Sequence, residues 1–136
     1  MGESRNHIEL VSIAYHCALT FVPKGMECLV KADTADSEKP SHIIDNFIPD
    51  VFYWHDDLLI IGEAKTINDF DKPHSKAQYK AYLQECQNFS GKSILIISVP
   101  WQLMISAKNY FKLLSRDMGK KIRIIIINEI NVRFEI

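Results

Sequence analysis

The chain has 136 residues, 47% hydrophobic and 24% charged, with a net charge of −1 at pH 7. This length suits one domain over residues 1–136 that buries its own core, and the composition excludes disordered, collagenous and membrane-spanning classes. Near-neutrality excludes a uniformly basic nucleic-acid coat, although 4 Lys/Arg against 11 Asp/Glu give residues 1–64 a charge of −7, and 12 against 6 give residues 65–136 a charge of +6.

The segment MGESRNHIEL lacks the basic-then-apolar pattern of a secretory signal, and Asn6 stands where a myristoylation signal needs Ser or Thr. Asn6 and Glu9 have capping-box spacing, ahead of Ile8, Val11, Tyr15, Ala18 and Val22 at helical intervals, which predicts a helix over residues 6–20 stopped by Pro23 and Gly25. MECLV reads as a short strand and KADTADSEKPS as a polar loop. Cys17, Cys28 and Cys86 form no CxxC or Cys/His cluster, which reads as structural thiols in a reducing, cytoplasmic setting.

IPDVFYW and LLIIGEAK, separated by HDD, read as a hairpin. INDFDKP is a loop, and HSKAQYKAYLQECQNF a helix closed by Gly91. SILIISV is apolar throughout and stopped by Pro100, as expected of a buried central strand. WQLMISAKNYFKLLSRDM predicts a helix ending near Gly119, IRIIIIN another buried strand, and NVRFEI a terminal edge strand. The order implies an α/β fold with a mixed central sheet of about four to five strands and helices on both faces.

Charges sit at the ends of the hairpin's apolar runs. Residues two apart on a strand share a face, so Glu63 and Lys65 emerge together with Leu59 and Ile61. A two-residue loop (Asp56, Asp57) or a four-residue one (His55 to Leu58) makes paired residue numbers add to 113, setting Asp50 opposite Glu63 on that face. A three-residue loop breaks this register and would revive a metal-binding protein of unrelated fold. Two opposed carboxylates raise one another's pKa unless a cation lies between them. Mg²⁺ (or Mn²⁺) suits them, because it accepts a few carboxylate oxygens, keeps several waters and takes phosphate oxygens. The Ala64 carbonyl lies between two residues that point at the site and is a further candidate ligand. Lys65 is placed to activate a water nucleophile or to neutralise charge growing on a phosphate.

These residues resemble the PD-(D/E)xK nuclease superfamily, with PD at Pro49 and Asp50, EAK at Glu63 to Lys65, and the order of elements around them covering most of the chain. The resemblance implies a restriction-endonuclease-like core, Asp50 and Glu63 as metal ligands, Lys65 as the catalytic lysine and DNA as partner. QYKAY supplies Gln78 and Tyr82, as in the Gln-x-x-x-Tyr element of RecB-like and VRR-NUC-like branches. Gln78, Tyr82, Cys86 and Phe89 form one inward helical stripe, and an amide there needs polar partners. Gln78 is therefore expected to orient the site, and Tyr82 to position nucleic acid or serve as core. Glu9 matches a glutamate that several branches carry on the first helix, and serves equally as the capping partner of Asn6.

Lys72, Lys76 and Lys80 surround the start of the Gln78 helix and are candidates for phosphate contact. Lys108, Lys112 and Arg116, with Lys120 and Lys121 beyond, read either as a phosphate track or as a solvated helix face. His7, His16, His42 and His55 read as surface or cap residues. Asp45 approaches the Asp50 strand without a spacing that requires it in the site. The function implied is Mg²⁺-dependent hydrolysis of DNA phosphodiester bonds by a homodimer or the nuclease subunit of a DNA-processing complex. The alternative is a non-catalytic nucleic-acid-binding or assembly module of the same fold.

Overall fold

The computed structural model describes residues 5–118 and 122–136. Helix α1 (Arg5–Leu19) is followed by β1 (Lys31–Ala32), β2 (Val51–His55), β3 (Leu58–Ala64), α2 (Pro73–Asn88), β4 (Lys92–Ser98), α3 (Met104–Ser115), β5 (Arg123–Ile127) and β6 (Arg133–Glu135). The six strands form one sheet in chain order. Strands β3, β4 and β5 run parallel, and the pairs β1/β2, β2/β3 and β5/β6 are antiparallel.

The apolar runs explain the layers. Strands that are hydrophobic at nearly every position must be covered on both faces, and β3, β4 and β5 are the three such strands. Parallel neighbours need crossovers, supplied by α2 and α3. Two crossovers stepping the same way, with the usual handedness, put both helices on one face. There Leu59, Ile61, Leu95, Ile97 and Ile126 pack with Tyr79, Leu83 and Phe111. On the other face, Ile60, Ile94, Ile96 and Ile125 pack with Leu10, Val11, Ala14 and Ala18 of α1. Among the described residues no helix is long and apolar enough to cross a membrane.

The mixed sheet with helices on both faces agrees with the sequence, and the strand count is six because both short edge segments pair. Several local expectations are corrected. Asn6 lies inside α1, so Asn6 and Glu9 are not a cap and its partner. Glu27–Leu29 is a 3-10 turn, tightened by Gly25 N–H donating to Glu27 Oε1 at 2.6 Å, and extended pairing begins only at Lys31. Trp101–Leu103 is likewise a 3-10 turn, with Leu103 N–H donating to the Pro100 carbonyl, and α3 stops at Ser115. Cys28 is exposed, unlike the buried Cys17 and Cys86. Gly119, Lys120 and Lys121 lie outside the described residues.

Gly91 does not cap α2, which ends at Asn88 with Phe89 already extended. Its small size is needed elsewhere. A Cβ on Gly91 would stand 2.1 Å from the Asp57 carbonyl oxygen, which accepts the Lys92 N–H at 2.7 Å. This contact locks the hairpin turn to the start of β4. Gly91→Ala is expected to destabilise the fold by about 1–3 kcal/mol, the usual cost of overpacking, as read from urea unfolding. An unchanged midpoint would show that the turn moves freely.

Candidate functional site

The hairpin closes through a two-residue loop. His55 pairs with Leu58 and Val51 with Gly62, so paired numbers add to 113 throughout. Asp56 takes the positive φ (52°) that such a loop requires, a conformation aspartate tolerates better than most residues. One step beyond the last pair, Asp50 stands opposite Glu63. Asp50 is held from both sides: its carbonyl accepts the Asp33 N–H at 2.9 Å, and its Oδ2 accepts the Ala64 N–H at 2.9 Å. Continuing the register brings Ala64 to Pro49, which has no N–H to offer the Ala64 carbonyl.

Glu63 and Lys65 lie at the C-terminal end of β3, only 4% and 8% exposed. Lys65 Nζ is 3.5 Å from Glu63 Oε2 and donates to Gln78 Oε1. Tyr82 Oη donates to Glu63 Oε1 at 3.0 Å. Burial pushes the Glu63 carboxyl well above the ordinary carboxylate range, and the neighbouring Asp50 carboxylate pushes it further, against the pull of Lys65. Burial and the Glu63 charge likewise raise the Tyr82 phenol, so it remains a donor. Tyr82 is fully buried and supports the acid from behind, which corrects its expected place against nucleic acid.

His7 belongs to this group, contrary to its reading as a surface or cap residue. Its Nε2 is 3.5 Å from Asp50 Oδ2. The cause is the rotation of α1: its buried stripe is Leu10, Val11, Ala14, Cys17 and Ala18, whereas Ile8 is exposed. His7 stands one turn before Leu10 and Val11 on that stripe. Asp45 is an exposed residue with φ of 48° in the tight turn joining Ile44 to Phe47. His16 bonds the Ser12 carbonyl, and His42 stacks on Phe52.

A cleft of about 920 Å³ is lined by His7, which contacts Asp50, and by Thr66, next to Lys65 in the chain, whereas Asp50, Glu63, Lys65 and Gln78 do not line it. Glu9 is exposed and lines it, as does Lys72. Lys76 leans on the Tyr110 ring of α3, and Lys80 is exposed; neither lines the cleft. Lys108 lies over the Phe134 ring, Arg116 is 3.8 Å from Asp117, and Lys112 is exposed. Among the described residues, no group of three or more His, Cys, Asp or Glu side chains converges to hold an ion. The oxygen atoms that the sequence reading assigns to an ion are those of Asp50, Glu63 and the Ala64 carbonyl, and the buried Ser98 Oγ on the strand paired with Ala64 is a further oxygen at this end of the sheet.

Comparison with protein-family models, with curated proteins and with solved structures yields no match.

Proposed function

We propose that the chain is a Mg²⁺-dependent deoxyribonuclease of the PD-(D/E)xK type, with a restriction-endonuclease-like core. It hydrolyses DNA phosphodiester bonds in the cytoplasm, as a homodimer or within a larger DNA-processing complex. One observation carries this reading: the even hairpin turn sets Asp50 opposite Glu63, with Lys65 Nζ 3.5 Å from Glu63 Oε2.

Two facing carboxylates, one buried and driven toward its protonated form, fit a hard divalent cation better than they fit each other. Asp50, Glu63 and the Ala64 carbonyl would hold Mg²⁺ or Mn²⁺, which needs few protein ligands when water and phosphate complete its shell. Bound there, the ion would supply charge neutralisation at the phosphate and a lowered pKa for the attacking water. Lys65 offers its ammonium to the phosphate oxygens where charge grows. Gln78 accepts from that ammonium and so keeps it aimed, while Tyr82 holds one Glu63 oxygen and His7 lies against Asp50. A symmetric dimer would address a phosphate on each strand of a duplex or junction.

The test is cleavage of linear, branched and single-stranded DNA, with Mg²⁺ or with EDTA, by wild type and by Asp50→Ala. Cleavage by wild type in Mg²⁺ alone, and a loss of at least about 10²-fold in the variant, is the expected result. Binding without cleavage on every substrate would instead establish the non-catalytic module.

A further inference from the structure

Residues 42–47, on the approach to β2, are tied to α2 at both ends. At one end His42 stacks on Phe52, with ring centroids 4.5 Å apart, and its Nε2 is 3.8 Å from Glu85 Oε2 on α2. In the middle, Ile44 is 4% exposed and belongs to the core that α2 covers. At the other end the Phe47 ring meets two rings of α2 edge-on, His74 at 5.3 Å and Tyr82 at 6.5 Å between centroids. The strap is also closed on itself. Ile44 and Phe47 exchange backbone hydrogen bonds of 2.8 and 2.9 Å around Asp45 and Asn46, whose φ values are 48° and 70°. Two successive left-handed residues make a tight turn that Asp and Asn tolerate, and such a turn leaves the Phe47 backbone little freedom.

Tyr82 is the residue that Phe47 can act through. Its hydroxyl donates to Glu63 Oε1 at 3.0 Å, a bond that requires the ring to keep one rotamer. An edge-on aromatic neighbour resists rotation of that ring, and removing the neighbour opens room for it to turn. Three residues beyond Phe47 the chain reaches Asp50, so one turn orders the approach to both carboxylates.

We propose that Phe47 is a positioning residue of the metal site: its ring holds Tyr82 where the hydroxyl occupies Glu63 Oε1, which leaves Oε2 for the ion. This rests on the nuclease reading and concerns the geometry of the same site.

Mg²⁺ alone is the probe, and its Kd is measured by calorimetry for wild type, Phe47→Ala, Tyr82→Phe and the double variant. Tyr82→Phe removes a hydrogen bond to a carboxylate and should weaken Mg²⁺ binding about tenfold or more. Phe47→Ala should weaken it by a similar factor. The double variant should lose no more than the larger single loss, because Phe47 acts through the hydroxyl that Tyr82→Phe has already removed. A merely structural role would lower the urea midpoint of Phe47→Ala without this dependence on Tyr82. Phe47→Leu keeps apolar bulk without a ring edge and stands in if Phe47→Ala does not fold. Its loss should be smaller and should likewise vanish in the Tyr82→Phe background. An unchanged Kd in the folded Phe47 variant, or losses that multiply in the double variant, would overturn the proposal and leave the nuclease reading in place. Absence of both Mg²⁺ binding and DNA cleavage in wild type would remove that reading and the proposal with it.

Discussion

Lys65→Met is expected to lower the single-turnover rate of Mg²⁺-dependent DNA cleavage by about 10²–10³-fold, the loss typical when one group that meets developing charge is removed. The rate should fall in kcat with little change in KM, because the phosphate gains its extra charge only in the transition state. Methionine is the informative replacement. Lys65 is buried along its stem, so a side chain of similar length avoids a cavity, and the fold loses the ion pair with Glu63 and a charge-assisted hydrogen bond to Gln78 Oε1 of about 1.5–3 kcal/mol. Removing a positive charge 3.5 Å from Glu63 Oε2 should also strengthen cation binding, so the thermal shift on adding Mg²⁺ should increase. A variant that cleaves within about tenfold of wild type would exclude Lys65 from the chemistry.

Glu63→Gln should stabilise the metal-free protein at alkaline pH while abolishing cleavage and the Mg²⁺ thermal shift. The sign follows from linkage. The folded Glu63 carboxyl binds its proton more tightly than the ordinary value of 4.5, so across the window above that value the native state holds more protons than the unfolded chain. Wild-type stability in EDTA therefore falls as pH rises from about 4.5 toward the raised folded value, by up to about 1.4 kcal/mol per pH unit. Glutamine keeps an oxygen for Tyr82 Oη and has no charge to bury, so the variant loses this slope. Mg²⁺ should flatten the wild-type slope, since a cation favours the ionised form. Parallel stability profiles for wild type and variant in EDTA, from urea unfolding across pH, would show that Glu63 is not the buried acid described.

Much of this site was legible in short spacings. Glu63 and Lys65 share a face because strand side chains alternate, and Gln78 and Tyr82 share the inward stripe of α2 because four residues make about one helical turn. Both expectations hold, and the partners that the buried amide and phenol needed are Lys65 and Glu63 themselves. The role of Tyr82 was not legible, because the same stripe is compatible with a hydroxyl at the rim or behind the acid. Gly91 was misread for a related reason. Its position after a helix suggests a cap, while its actual constraint is the Asp57 carbonyl, 34 residues earlier in the chain.

His7 marks the boundary between the two kinds of information. The sequence by itself determined that Glu63 and Lys65 share a strand face and that an even hairpin loop would set Asp50 opposite Glu63, while the two-residue loop that meets this condition is seen only in the strand register. That geometry is local and is carried by a few covalent steps. The rotation of α1 was decided only by tertiary packing, because a helix with apolar residues at both Ile8 and Leu10 can turn either toward the sheet. The fit of Leu10, Val11 and Ala14 against Ile60 and Ile96 selected one rotation, and the same choice carried His7 onto Asp50.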